Sequence, residues 1–315
     1  MRYIEDLKEG EHIVAHYLCK KRETLKTKNG KNYLSLILAD RTGEIIGRAW
    51  TLGNDIQSFE AGDFIKIDAK VDFWQDEPQF NIAKIRKSQE GEYLPADYIP
   101  TTERDIKEIY ESICAMVKSM QNPHLKEMLT NIFINNTGIK EAFLHSSAAR
   151  SMHHSYVGGL CEHTLNVAQI CDFLAPRYKF VNRDLLISAA LLHDIGKIYE
   201  LSSFPENDYT DAGKLLGHII ITCELISKES AKIDGFPEKL KNLLTHCIVS
   251  HHGKHEFGSP VLPKIIEALI LSHADDTDAK IKMFESILEK APATTDWAGY
   301  QKMGGLARDI RKSNF

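Results

Sequence analysis

Ala189-Ala190-Leu191-Leu192-His193-Asp194-Ile195-Gly196-Lys197 is an apolar run that closes on an adjacent His and Asp and then breaks at Gly. At the end of a buried helix an imidazole and a carboxylate are costly to bury without partners. A metal ion is the partner most consistent with the rest of the chain. His163 lies 30 residues before His193, His218 lies 24 after Asp194, His251 and His252 follow another 33 on, and Asp275 sits 23 beyond His252. Each falls within or at the end of a segment of helical period, so a helical bundle can aim them at one cavity. A lone His-Asp pair more often marks a capped helix end. Seven ligand-type residues in the order H…HD…H…HH…D are a far more specific pattern.

That ordered set resembles the HD-domain metal-dependent phosphohydrolases. Three stretches narrow the resemblance to the YhaM-type 3′→5′ exoribonucleases. They are Met152-His153-His154-Ser155-Tyr156-Val157-Gly158-Gly159-Leu160-Cys161-Glu162-His163-Thr164, Ser250-His251-His252-Gly253 with Phe257-Gly258-Ser259-Pro260, and His273-Ala274-Asp275-Asp276-Thr277-Asp278-Ala279-Lys280. The resemblance covers nearly the whole chain, least clearly its final segment. It implies an OB-fold ahead of the HD domain and hydrolysis of single-stranded RNA, with single-stranded DNA as a further substrate, from the 3′ end.

Two divalent ions held ~3.5–4 Å apart clamp the attacking and leaving oxygens of a displacement at phosphorus. Such a site needs a bridging carboxylate, because one imidazole nitrogen cannot serve two ions, and Asp194 is the obvious bridge. By resemblance one ion takes His163, His193 and Asp275, and the other takes His218, His251 and His252. A one-metal HD enzyme needs only His163, His193, Asp194 and Asp275, so the three further histidines favour two ions. Mixed imidazole and carboxylate ligands suit Mn, Fe, Co, Ni or Zn better than Mg or Ca, and the resemblance favours Mn²⁺. Ala274-Asp275-x-x-Asp278-Ala279 puts Asp275, rather than Asp276, at the family's ligand position. His246 is five residues before His251 and off its helical face, so it is left out of the ligand set.

Length and composition set the frame. A chain of 315 residues with 43 % hydrophobic content suits two domains with real cores. No stretch reaches the ~18 uninterrupted apolar residues of a membrane span, and Met1-Arg2-Tyr3-Ile4-Glu5-Asp6 is too acidic for a signal peptide. A cytoplasmic protein is expected, with no membrane partner. The six cysteines contain no C-x-x-C and mostly lie in apolar helical patterns, as reduced, buried thiols do. The net charge is −5, with 15 Lys+Arg against 15 Asp+Glu up to residue 90 and 24 against 29 beyond it. The acidic surplus therefore lies in the second part, and any nucleic-acid site must be argued from local patches.

From Glu11 to about Ser88 the pattern is β. Runs at Ile13–Leu18, Tyr33–Leu38, Glu44–Trp50, Phe64–Val71 and Phe80–Ile85 are rich in strand formers, and Asn29-Gly30 marks a tight hairpin. With a short helix expected near Asp55–Phe59, five strands suit an OB barrel. Such barrels bind single strands with stacking aromatics and cations along a groove. Lys21 and Arg22 in the first hairpin, and Tyr33 and Trp74 as platforms, are the candidate strand-binding residues. If Phe73 faces the core, alternation puts Trp74 outside. The barrel is assigned to residues 1–90.

Residues 91–101 contain Gly91, Pro95 and Pro100 and no apolar period, and read as a linker. Residues 102–315 read as an all-α HD domain. Thr102 with Asp105 suggests a capping box, a helix is expected from His124 to about Asn135, and Asp184 is expected to cap the helix ending at His193. Lys197 can hold a phosphate oxygen as a point charge, and otherwise complements a helix terminus. Arg150 and His154 are candidates to meet a substrate phosphate.

The expectation is thus a multi-domain metal-dependent exoribonuclease with Asp194 and Lys197 in the catalytic role. The nearest alternative is an HD phosphodiesterase for a small nucleotide or cyclic dinucleotide, against which the strand-binding barrel argues. A non-catalytic binding protein with a decayed HD domain is the other, and the complete ligand series argues against it.

Overall fold

Alternation of buried and exposed residues builds the first five strands of the computed structural model, which describes residues 2–74, 77–94, 97–150, 154–292, 294–301 and 306–313. They are β1 (His12–Lys26), β2 (Asn32–Asp40), β3 (Gly43–Ala49), β4 (Phe64–Trp74) and β5 (Glu77–Lys87). They close into a barrel in the order β1-β2-β3-β5-β4, all neighbours antiparallel except β3 and β5. This is the five-stranded OB arrangement. Strand β1 is long enough to serve two partners: His12–Leu18 pairs with β4, and Leu18–Lys26 pairs with β2 across an irregularity between Cys19 and Lys21. Tyr17, Leu36, Leu38, Ile65, Ile67, Phe80 and Ile85 fill the interior. The short helix expected at Asp55–Phe59 is absent; Ile56 forms an isolated bridge with Ile85.

Contacts divide the chain into two units, residues 1–101 with 204–206, and residues 102–203 with 207–315. The second is built from α1 (Ile106–Ser119), α2 (Pro123–Thr130), α3 (Thr137–His145), α4 (Gly159–Leu174), α5 (Arg183–Leu192), α6 (Lys197–Glu200), α7 (Asp211–Ser230), α8 (Glu238–Ser250) and α9 (Ile266–Lys290). Helix α5 is the central element: every residue from Leu185 to Leu192 is buried. A helix that is apolar on all sides must be surrounded by others.

Three local expectations change. Asp105 caps α1 by itself, its side chain accepting from Lys107 N, so Thr102 is not part of a capping box. Asn182 caps α5 through Leu185 N, and Asp184 accepts instead from the backbone of Gln121 and Asn122. The helix expected from His124 begins at Pro123 and widens into a π turn over Asn131–Asn135. The second unit is also not purely helical: β6 (Trp297–Gln301) and β7 (Arg308–Arg311) form a small antiparallel sheet. Among the described residues no helix is long and apolar enough to cross a membrane. Met152 and His153, part of one stretch that carries the resemblance, lie outside the described residues.

Candidate metal centre

Two close approaches shape the site. At Gly196, just after the His-Asp pair, a Cβ would lie 2.4 Å from the His218 carbonyl oxygen, so only glycine lets α7 pack here. Gly217 interrupts α7 with φ 72° and ψ 158°, a conformation open to glycine and strained for other residues. The kink turns His218 so that its backbone N–H and its Nδ1 both meet Glu200 Oε1, at 3.0 and 3.1 Å.

His193 ends α5 and Asp194 follows in the turn. The Asp194 carboxylate is buried, and its two oxygens face different histidines. Oδ2 lies 3.5 Å from His163 Nε2 and 3.4 Å from His193 Nε2. Oδ1 lies 3.4 Å from His218 Nε2 and 3.7 Å from His251 Nε2. Asp275, on α9, brings Oδ1 to 3.2 Å from His163 Nε2 and 3.9 Å from His193 Nε2. Three triplets among the described residues have donor atoms close enough to share an ion: His163–His193–Asp275, His218–His251–His252, and His154–His163–Asp278, whose atoms are already joined by hydrogen bonds through Asp278 Oδ2. Asp276 points elsewhere and pairs with Lys280 at 2.6 Å. His246 is occupied as the acceptor for Lys264 N.

Every imidazole is fixed from behind. His193, His251 and His252 present Nδ1 to the carbonyl oxygens of Ala190, Ile248 and Phe257 at 2.8, 2.7 and 2.8 Å. His163 and His218 present Nδ1 to Asp278 Oδ2 at 2.6 Å and to Glu200 Oε1. A carbonyl or carboxylate oxygen only accepts, so a proton sits on each Nδ1 and Nε2 is the atom turned to the cavity. Asp194 Oδ1, His218 Nε2 and His251 Nε2 are buried with no hydrogen-bond partner among the described residues. Buried polar atoms are normally partnered, and converging lone pairs of this type fit divalent cations.

The electrostatics agree. Burial would raise the Asp194 carboxyl, but Lys197 and His193 hold it well below the usual carboxylate range. Burial also opposes ionisation of Asp275, and His163 and His193 outweigh it, holding it below that range. Burial, then the neighbouring His252, pushes His251 well below the ordinary imidazole range. His163 goes the other way: burial would lower it, yet Asp275 and Asp278 push it up to about 10. A cation held by these carboxylates competes with that proton.

The centre opens into a cavity of about 520 Å³ lined by Asp194, Lys197, His218, His251, His252 and Asp275. Lys197 is half-buried rather than fully solvated, with Nζ 2.6 Å from Asp194 Oδ2. Arg150, exposed, also lines the cavity and pairs with Asp208 at 3.1 Å. Tyr209 and Phe257 line it too, and neither was singled out as a site residue from the sequence. His154 does not reach it. That ring is buried, with Nε2 2.9 Å from Asp278 Oδ2 and Nδ1 2.9 Å from the Tyr156 hydroxyl, because the chain before α4 tucks it behind His163.

On the barrel, strand alternation separates the two basic residues expected to act together. Lys21 pairs with Ile37 on the outer face, whereas Arg22 pairs with Leu36 and packs over Phe59 and near Glu60. Tyr33 is on the outer face beside Trp50, ring centroids 4.6 Å apart, and Arg48 lies 5.8 Å above Trp50 while donating to Gln79 at 2.6 Å. Trp74 is 64 % exposed, and Phe73 is not core: at 39 % exposure it lies with Trp74 at the tip of the β4–β5 hairpin, beyond β5's pairing with β3.

The HD domain family matches residues 160–280, which contain all seven centre residues, and divalent metal binding goes with that domain. An exoribonuclease named YhaM from Geobacillus sp. (strain WCH70) is 33 % identical over 283 residues, covering 89 % of this chain and 86 % of its own. The chain belongs to the YhaM family. The YhaM proteins of Bacillus subtilis (strain 168) and Oceanobacillus iheyensis are 31 % and 34 % identical, each over 89 % of this chain and over 89 % and 88 % of their own lengths. These YhaM relatives are named 3′–5′ exoribonucleases. A solved OB-fold domain of replication protein A from Methanococcus maripaludis overlaps 29 % of this chain and 96 % of its own, at 19 % identity and a TM-score of 0.24. The barrel assignment rests on strand order and register instead.

Proposed function

We propose that this chain is a metal-dependent 3′–5′ exoribonuclease acting on single-stranded RNA, with single-stranded DNA as a second substrate. The observation that carries the reaction class is the division of the Asp194 oxygens between two sets of Nε2 donors. One carboxylate facing two donor sets is what two ions need, one held by His163, His193, Asp194 and Asp275, the other by Asp194, His218, His251 and His252. Mn²⁺ is the proposed ion, with Fe, Co, Ni and Zn compatible with the donors. Two such ions, when bound, stabilise the attacking and leaving oxygens of an in-line displacement.

The chain's own residues do the rest. Lys197 keeps Asp194 ionised and oriented, and its ammonium lies at the cavity wall where a phosphate oxygen of the scissile linkage enters. Arg150 supplies a second cation beside it, once its pairing with Asp208 yields to phosphate. The polarity and the RNA substrate come from family membership. Lys21, Tyr33, Arg48, Trp50 and Trp74 share the barrel's outer face and form the proposed grip on the strand. Incubation with Mn²⁺ and a 5′-labelled single-stranded RNA tests the reading. A descending ladder of products is expected; turnover of small nucleotides without any ladder would favour a small-molecule phosphodiesterase.

A further inference from the structure

We propose that Asp278 and Glu200 are the two positioning residues of the centre, one for each ion: Asp278 orients His163 and Glu200 orients His218. The proposal rests on the two-ion reading above.

The five imidazoles are not anchored alike. His193 and His251 lean on carbonyls three residues back in their own helices, and His252 on a carbonyl five residues ahead, so local backbone geometry fixes them. His163 and His218 lean on carboxylates brought from other elements, Asp278 from 115 residues away and Glu200 from 18. Each of the two triplets around Asp194 contains one carboxylate-backed imidazole, and His218–His251–His252 has no carboxylate of its own besides the shared Asp194.

Helix α9 grips one ring from both sides. Asp275 faces His163 Nε2 at 3.2 Å, and Asp278, one turn on, holds Nδ1 at 2.6 Å. Asp278 is itself braced: Oδ2 also meets His154 Nε2, and Oδ1 accepts from Asn166 Nδ2 at 2.9 Å. Glu200 is braced through the His218 backbone N–H, which the Gly217 kink delivers to the same oxygen. Glu200 belongs to no donor triplet, and Asp278 only to the one with His154 and His163, where Oδ2 is taken up by His163 Nδ1 and His154 Nε2 on the side of the ring away from His193 and Asp275, so both carboxylates act through another residue. A carboxylate behind an imidazole fixes its tautomer and strengthens the opposite nitrogen as a ligand, and losing one typically weakens metal binding 10–100-fold.

The test is calorimetric titration of Mn²⁺ into chelator-stripped full-length protein. Asp278→Asn and Glu200→Gln keep shape and remove charge. In a His252→Ala background, which keeps the His163-side ion, Asp278→Asn should weaken that ion about 10–100-fold and Glu200→Gln should leave it unchanged. In a His193→Ala background the pattern should reverse. Effects of both substitutions on the same ion, or on neither, would overturn the proposal, as would weakening that only tracks a lower melting temperature of the stripped protein. Should Asp278→Asn fail to fold, Asn166→Ala, which removes the Oδ1 brace together with the exposed bond from Arg104, should weaken the same ion to a lesser degree, and no effect there would count against the proposal. A wild type that holds one ion at saturation would overturn the two-ion reading itself; Asp278→Asn would then decide on its own whether Asp278 orients His163, by weakening that ion or sparing it.

Discussion

Asp194 is the residue on which the centre turns, since it faces four histidines and one lysine at once. Asp194→Ala removes the shared ligand and leaves the half-buried Lys197 without its partner. Hydrolysis is expected to vanish while RNA binding by gel shift stays close to wild type, because the proposed grip is in the barrel; full activity in the variant would refute the metal centre. His163 gives a pH prediction. Its metal-free pKa, about 10, lies above the ordinary ~6.5. The stabilisation from its charge is therefore complete below ~6.5 and is lost as pH rises through about 10. Thermal melts of chelator-treated protein should fall between pH 7 and 10, and saturating Mn²⁺ should flatten that slope, because the ion displaces the proton. At this scale the sequence was most informative where residue type implies chemistry. The histidines and Asp275 are visible as ligand types in order, whereas Asp278 and Glu200 look like ordinary helix carboxylates until the fold sets them against Nδ1 atoms. His154 was read as a substrate contact because its place near His163 was visible and its burial was not.

Among the elements, α6 and α7 decide the geometry, and a close approach between them runs through Gly196, the residue just before α6. Gly196→Ala would force a methyl group against the His218 carbonyl and the Thr222 hydroxyl, at 2.4 and 2.7 Å, and backbone cannot yield as a flexible side chain can. Overpacking of this kind costs typically ~1–3 kcal/mol. A lowered melting temperature together with weakened Mn²⁺ binding is expected, since the displaced residue is His218; a wild-type melt would mean that the two helices separate freely. The elements themselves were legible because apolar period and turn residues are local signals. Their ends were less so. Asn182 and Asp184 are both competent caps two residues apart, and only the long-range demand of the Gln121 and Asn122 amides assigns Asp184 elsewhere. Lys21 and Arg22 show the converse: strand alternation already implied opposite faces, and their clustering as like charges hid it.

For the whole molecule, two units are legible in the change of period near residue 90, but the stretch 91–101, read as a linker, groups with the barrel, where Tyr98 is buried against Phe64, so the units part at 101/102; the small sheet after α9 is not legible because β6 and β7 are short and largely exposed. The two units carry different parts of the proposed task. A strand held on the barrel is tethered to the chain that bears the metal centre, so barrel binding raises the effective concentration of the RNA end without touching the chemistry. Loss of a base-stacking aromatic costs ~1–3 kcal/mol per base. Tyr33→Ala with Trp74→Ala should therefore raise KM for a long single-stranded RNA by about tenfold or more, and leave both its salt dependence and kcat near wild type. Hydrolysis of a small chromogenic phosphodiester, which carries no run of bases to stack on these aromatics, should not change. An equal loss on both substrates would mean that these aromatics support the helical domain rather than the strand, and would remove the barrel from the proposed grip.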